Sequence, residues 1–320
     1  MPKYVMLPPI DDDMRAWAQQ MRDEIPGLDV VVVEDEADGP QELADADGAY
    51  GWVAPDVLPS TERLRLLQNP FAGPPVGWYY PELAEHSVTV SNPRGIYSDH
   101  IAHHIMMYML ALSRGLPYYS AAQAEGHWDQ SARKRGYVDL TTSTVLINGV
   151  GGIGAEAARL CVAFGSRVIG VDPRPAFEID GEIIAPSELD DRLPEADFVV
   201  TTVPQTPETE FMWNADRFGA MKNSAYFINI GRGMTCKLDD LVAALDNGEI
   251  AGAGLDVFEI EPLPEGHPLW QIENVIITPH IAVADAENIP ERRFELILEN
   301  VRRLVEGGDF VNVVDKEKWY

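Results

Sequence analysis

Along this chain apolar residues gather in short runs rich in Val and Ile, and between the runs they recur three and four positions apart. The runs read as strands at residues 4–7 and 30–33, then at 144–148, 167–171, 198–202, 225–230, 252–257 and 275–278. The wider spacing reads as helix, at 14–22, around Glu42 and Leu43, and at 155–164. Two helices are longer. One covers 99–114 and is expected to stop at Gly115 and Pro117. The other starts near Pro290, a residue suited to a first helical turn, and lines up Phe294, Ile297, Val301 and Leu304 in one stripe.

Strands joined through crossover helices must pair in parallel, because each crossover returns the chain in the same direction. The expected fold is α/β: a doubly wound parallel sheet over 98–288, inserted into a second, smaller α/β domain built from 1–97 and completed by 289–320, with the long helices as hinges. A chain of 320 residues is too long for one ordinary core and suits two. No repeat or low-complexity tract interrupts the pattern.

Charge narrows the range of partners. Fifty-two acidic residues against 24 basic ones give a net charge of −28, and the basic set is six Lys and eighteen Arg. Such a surface repels nucleic acid and anionic lipid, and neither is expected as a partner. Two readings follow, a mildly acidic mesophilic enzyme or a halophilic protein with an acidic surface that salt must screen, and the self-repulsion of so large an excess favours the second. The two cysteines, Cys161 and Cys236, form no disulfide framework or metal spacing. The longest apolar stretch, 105–112, is far short of a membrane span, and 1–10 lacks the apolar region of a signal peptide. A cytoplasmic location is the expectation.

The string Gly149-Val150-Gly151-Gly152-Ile153-Gly154 lies between an expected strand and an expected helix. Gly149 permits the tight turn, Gly151 lets backbone approach a pyrophosphate, and Gly154 lets the helix pack closely on the strand; the helix N-terminus then attracts the anion. Asp172 ends the next strand, eighteen residues past Gly154. A carboxylate there accepts from ribose hydroxyls and repels a 2′-phosphate, which favours NAD over NADP, while Arg174 offers a phosphate-binding guanidinium two residues on. Taken alone, the glycine string would equally suit an ordinary glycine loop; its strand, helix and acidic residue are what give it meaning.

Three later segments carry groups able to do chemistry: Gly231-Arg232-Gly233; Leu255-Asp256-Val257-Phe258 running on to Glu261-Pro262; and Thr278-Pro279-His280. Each lies at the carboxyl end of an expected strand, the edge where ligands bind in doubly wound sheets. An arginine between two glycines presents its planar fork with little hindrance, suited to a carboxylate or a developing alkoxide. An imidazole exchanges protons near neutral pH, and His280 is the group expected to do so, with Glu261 accepting its other ring N–H. Each segment alone has a plain alternative, namely a surface turn, a loop start or a strand cap.

Together with the glycine turn, the stretch Val203-Pro204-Gln205-Thr206-Pro207-Glu208-Thr209 and His267-Pro268-Leu269-Trp270, these segments resemble the D-isomer-specific 2-hydroxyacid dehydrogenase family, in its order and with similar gaps over 88–308. The resemblance implies a Rossmann nucleotide-binding domain inserted into a flavodoxin-like domain, and hydride transfer between NAD(H) and a small 2-keto or D-2-hydroxy acid. It further implies a homodimer formed through the nucleotide-binding domain and closure over the substrate by hinge motion. Arg232, Glu261 and His280 would be catalytic. Gly152 and Ile153 would meet the pyrophosphate through backbone, Val203, Pro204 and Thr206 would line the adenosine side, and Asp256 would meet the nicotinamide amide. The substrate carboxylate would rest on backbone around Ala72 and Gly73. Two positions depart from the family pattern: Pro74-Pro75 after that glycine, and Val283 where a glycine often follows the histidine motif.

The nearest rivals are other chemistries on this scaffold. Formate dehydrogenases usually carry Gln in place of Glu261, and phosphite enzymes need a lysine in the smaller domain's loop, whereas no Lys occurs between residues 4 and 133. An NAD(H)-sensing binding protein without turnover is the alternative from a different class. His100, His103 and His104 have metal-ligand spacing on one helix, but packing and hydrogen bonding are the expected roles and no metal is expected. Tyr50, Trp52, Trp78, Tyr79 and Tyr80 suit either a pocket wall or the core. Cys161 is expected to be buried, and Glu188 to Asp191 to form a solvated face.

Overall fold

A computed structural model of the chain describes residues 1–73, 77–130, 137–175, 177–284 and 286–316. It divides into two compact units, 1–96 with 287–320, and 97–286.

In the first unit, β1 (Lys3–Met6), β2 (Asp29–Val32), β3 (Gly48–Tyr50), β4 (Leu66–Gln68) and β5 (Thr89–Ser91) form a parallel sheet in the order β2-β1-β3-β4-β5. The interior strand β1 buries Tyr4, Val5 and Met6 completely because side chains pack on both faces. Tyr4 and Met6 meet Trp17, Met21, Phe294 and Val301 on one side, and Val5 joins Ala49, Leu67 and Val90 on the other. Helix α1 (Asp12–Glu24) owes its start to the acidic run: the Asp11 side chain accepts from the Met14 amide at 2.8 Å, and Asp12 and Asp13 sit in the first turn. The expected stripe Phe294, Ile297, Val301 and Leu304 is buried on the closing helix Ile289–Glu306.

The second unit opens on α4 (Ser98–Ser113) and α5 (Leu116–Ala124), which follow the short helices α2 (Gly39–Leu43) and α3 (Pro81–Glu85) of the first unit. Its sheet has seven parallel strands: β6 (Thr144–Asn148), β7 (Arg167–Val171), β8 (Glu182–Ile184), β9 (Phe198–Thr201), β10 (Tyr226–Asn229), β11 (Gly252–Leu255) and β12 (Val275–Ile277). The order β12-β11-β10-β9-β6-β7-β8 reverses between β9 and β6, a topological switch point. Helix α4 packs with α6 (Gly152–Ala163) on one face, where Ile105, Met109, Ala157 and Cys161 meet Val145 and Ile147. The opposite face buries Leu146, Val199, Phe227 and Leu255 against Trp213, Phe218 and Leu241.

Two expectations need correction. Gly115, at φ +65, does end α4, but Pro117 falls in the first turn of α5, where its missing N–H costs nothing, so the chain turns into a further helix. The sequence pattern also gave no strands at 48–50, 66–68, 89–91 or 182–184, each only three residues long.

Candidate active site

The carboxyl ends of β6, β7, β9, β10, β11 and β12 carry the chemically equipped segments of the second unit. At the switch point the turn after β6 is shaped by contacts a side chain would not survive. Gly149 adopts φ +103, and a Cβ there would stand 2.6 Å from the Thr202 hydroxyl; one on Gly154 would stand 1.9 Å from the Gly149 carbonyl oxygen. Gly151, which caps α6, is different, since a Cβ there would meet no atom within 4 Å. The start of this twelve-residue helix thus has open space beside Gly151, a cradle that fits the pyrophosphate of a dinucleotide.

Asp172 directly follows β7, beside this turn. Its Oδ2 accepts from the Val150 amide and its Oδ1 from the Arg174 amide, both at 2.8 Å. The carboxylate expected to meet a ribose therefore also braces the glycine turn. After β9 the loop bearing Val203, Pro204 and Thr206 is fixed by the Thr209 hydroxyl, which donates to the Pro204 carbonyl at 2.7 Å and accepts from the Thr206 amide at 2.8 Å.

Arg232 follows β10, and its flanking glycines have a reason beyond side-chain freedom. A Cβ on Gly231 would lie 2.6 Å from the Val203 carbonyl oxygen, and one on Gly233 would lie 1.8 Å from that of Phe258. The backbone is thus wedged between the loops after β9 and β11. The Arg232 carbonyl accepts from the Thr235 hydroxyl at 2.7 Å, and its guanidinium donates to the Gly231 carbonyl at 2.7 Å. Burial holds the guanidinium below its ordinary value, an effect that the nearby Glu261 charge opposes.

Glu261 accepts from the Phe258 amide through Oε1 at 2.9 Å and meets His280 Nδ1 through Oε2 at 2.8 Å. One carboxylate thereby ties the loop after β11 to the imidazole after β12. Its hold on Nδ1 leaves Nε2 without a partner among the described residues, on a side chain half exposed within its own unit. His280 takes φ +56, a left-handed conformation rare for a non-glycine residue. Arg232, Glu261 and His280, from three different strand ends, are thus linked by contact and charge.

Asp256 is 1% exposed and turned into the protein. Its backbone carbonyl accepts from the His280 amide at 2.8 Å, Oδ1 from the Ile281 amide at 2.9 Å and Oδ2 from the Ala282 amide at 3.1 Å. Three successive amides around the histidine are therefore anchored on one residue. Amide anchoring of this kind leaves no mark in residue type and cannot be read from the chain alone. The Thr278 hydroxyl also donates to Asp256 Oδ1, a contact that the motif Thr278-Pro279-His280 does not reveal.

In the first unit, the Ala72 carbonyl accepts from the Asn92 side chain at 3.1 Å, so the segment of Ala72 and Gly73 is held at the carboxyl end of that sheet. Pro74 and Pro75 lie outside the described residues. Tyr50 and Tyr80 belong to the core, whereas Trp52 is exposed. Cys161 is fully buried between the sulfurs of Met106 and Met109. Asp190, in the acidic stretch, pairs with Arg217 at 2.7 Å.

Comparison with known proteins bears on this arrangement. Residues 106–282 match the family model described as D-isomer specific 2-hydroxyacid dehydrogenase, NAD binding domain. An uncharacterized protein of Corynebacterium melassecola is 32% identical over 286 residues, covering 86% of this chain and 90% of that one. A glyoxylate reductase of Thermofilum pendens is 33% identical over 243 residues, covering 74% of this chain and 71% of that one. Among solved structures, the NADPH-dependent glyoxylate/hydroxypyruvate reductase of Sinorhizobium meliloti, in complex with NADP and sulfate, superposes with a TM-score of 0.81 at 28% identity and covers 100% of both chains.

Proposed function

Since this chain belongs to the D-isomer specific 2-hydroxyacid dehydrogenase family, we propose that it reduces a small 2-keto acid to the D-2-hydroxy acid, and runs the reverse oxidation, with a nicotinamide dinucleotide as partner. The observation that carries this reading is the linkage of Arg232, Glu261 and His280 at one sheet edge. The chemistry a bound dinucleotide supplies is the hydride, given to the carbonyl carbon in reduction and taken back in oxidation.

The residues of the chain do the rest. His280 donates a proton from Nε2 to the carbonyl oxygen as the alcohol forms, and takes it back in the reverse direction. Glu261 holds Nδ1 and so fixes the ring's orientation. The Arg232 fork binds the substrate carboxylate and polarises the carbonyl; its partial burial strengthens both interactions. Ala72 and Gly73 belong to the substrate loop of the first unit. Gly152 and Ile153 hold the pyrophosphate, and Val203, Pro204 and Thr206 line the adenosine side; the Asp256 carboxylate, expected at the nicotinamide amide, is taken up by Thr278 and the Ile281 and Ala282 amides instead.

Asp172 favours NAD, because a second negative charge beside its carboxylate would be repelled; Arg174 gives NADP a weaker foothold. In this reading 98–288 binds the dinucleotide, and 1–97 with 289–320 carries the substrate loop. We further propose a cytoplasmic homodimer formed through the nucleotide-binding unit, a reading supported by the exposed Met107, Leu110, Leu116 and Tyr119 along α4 and α5.

The test is steady-state oxidation of NADH and of NADPH with glyoxylate, hydroxypyruvate and pyruvate, together with light scattering for the oligomer. Turnover of at least one acid, faster with NADH, is expected. Tight dinucleotide binding with no turnover on any of them would make the chain a sensor instead.

A further inference from the structure

Helix α4 sends two polar groups to the ends of β11 and β12. The Tyr108 hydroxyl lies 2.5 Å from the Thr278 hydroxyl, and His104 Nε2 lies 3.0 Å from Thr278 Oγ1 and 3.1 Å from the Tyr108 oxygen. Thr278 in turn donates to Asp256 Oδ1. Four side chains from three elements thus share one buried chain of hydrogen bonds.

Counting protons fixes its direction. A carboxylate has only acceptors, so the one Thr278 proton goes to Asp256. The proton in the 2.5 Å contact must then belong to Tyr108. Both oxygens facing His104 Nε2 have committed their protons, so Nε2 must itself carry hydrogen. The chain runs one way, from His104 through Tyr108 and Thr278 to Asp256. Burial suits each donor: it raises the Tyr108 phenol above its ordinary value, which keeps the proton on, and it lowers the His104 imidazole, which Asp256 opposes more weakly.

The tyrosine is built into the sheet. It is fully buried, and a Cβ on Gly254 of β11 would stand 2.6 Å from its ring, so ring and glycine form a matched pair. The end of the chain, Asp256, is the residue that anchors the amides of Ile281 and Ala282 and, through its carbonyl, that of His280.

Resting on the acid–base reading of His280 above, we propose that Tyr108 is a positioning residue of the reaction. With His104 and Thr278 it locks the Asp256 carboxylate, and the locked carboxylate holds His280 in its left-handed conformation against Glu261. Tyr108 and Thr278 touch neither substrate nor dinucleotide in this account; they act through the backbone that presents the imidazole.

Two conservative deletions test it. Tyr108→Phe keeps the ring over Gly254 and removes the hydroxyl; Thr278→Val does the same for the threonine, and Thr278→Ser restores a hydroxyl. Both deletions are expected to lower kcat by about 10–100-fold with dinucleotide affinity unchanged, and Thr278→Ser to recover most of the loss. A role confined to packing would lower the melting temperature and leave kcat intact, or leave Thr278→Ser as slow as Thr278→Val; either result overturns the proposal. Nitrogen NMR of the histidine rings gives a readout independent of turnover. It should show His104 protonated at Nε2, and His280 ring resonances displaced in both deletions; His280 resonances unmoved in both would overturn the proposal. Were the unmodified protein to turn over no 2-keto acid, the functional reading would fail while these spectra still decided the positioning role.

Discussion

At the scale of single residues, the glycines sort by what a side chain would meet. Gly154 and Gly151 belong to one motif, yet a Cβ at the first would collide with the Gly149 carbonyl at 1.9 Å and at the second would enter open space. Gly154→Ala should therefore cost about 1–3 kcal/mol of stability through overpacking. Gly151→Ala should melt like the parent and bind dinucleotide about tenfold more weakly, because the methyl occupies the anion's approach. Thermal melts and NADH fluorescence titrations separate the two, and a Gly151→Ala protein with full NADH affinity would remove the cradle from the account. The sequence shows the motif and the chemical types of Arg232, Glu261 and His280. It does not show that Gly231 and Gly233 exist to wedge Arg232 between the Val203 and Phe258 backbones, because that depends on loops distant in sequence.

At the scale of elements, strands of four or five residues were legible, since β6 and β9 each bury three consecutive apolar residues, are covered on both faces and read as unbroken runs. Strands β3, β4, β5 and β8 were not, because three residues hold too little pattern to separate strand from turn unless all three are β-branched and apolar, as Val275-Ile276-Ile277 of β12 are. Gly48-Ala49-Tyr50 becomes a strand only because β1 and β4 supply hydrogen-bonding edges on either side of it. Pro117 misled for a related reason: the same residue that stops one helix can start the next. Helix α4 itself carries a pH-dependent tether. His104, packed against Tyr108, Thr278 and Asp256, has its pKa lowered below 6.5 by burial. The unfolded chain binds a proton there first, so His104's contribution to stability is complete above 6.5 and is lost as pH falls below it. Melting temperature is expected to fall between about pH 7.5 and about pH 5.5, and less steeply in His104→Gln, which keeps a donor but cannot titrate. Equal slopes in the two proteins would contradict the burial argument.

At the scale of the whole molecule, charge and site make separate demands. The net charge of −28 is only locally relieved: Glu182 and Glu195 pair with Arg167 and Arg192, and Glu34 with Arg15, all largely at the surface. Exposed pairs of this kind contribute little, so the excess charge predicts a fold that gains from screening by salt. Raising KCl from about 0.1 to about 1 M shortens the screening length from about 10 to about 3 Å. Both melting temperature and kcat are expected to rise over that range, and flat responses would mean that the fold tolerates its charge unaided. The two-domain pattern and the family were legible from motif order; the network behind His280 was not, because it joins residues that only folding makes neighbours. The central claim is that His280, oriented by Glu261, moves the proton of the reaction. Single-turnover oxidation of prebound NADH by a 2-keto acid should slow by about 10²–10⁴-fold in His280→Ala while NADH affinity holds. A His280→Ala protein that completes the turnover at the parent rate would contradict it.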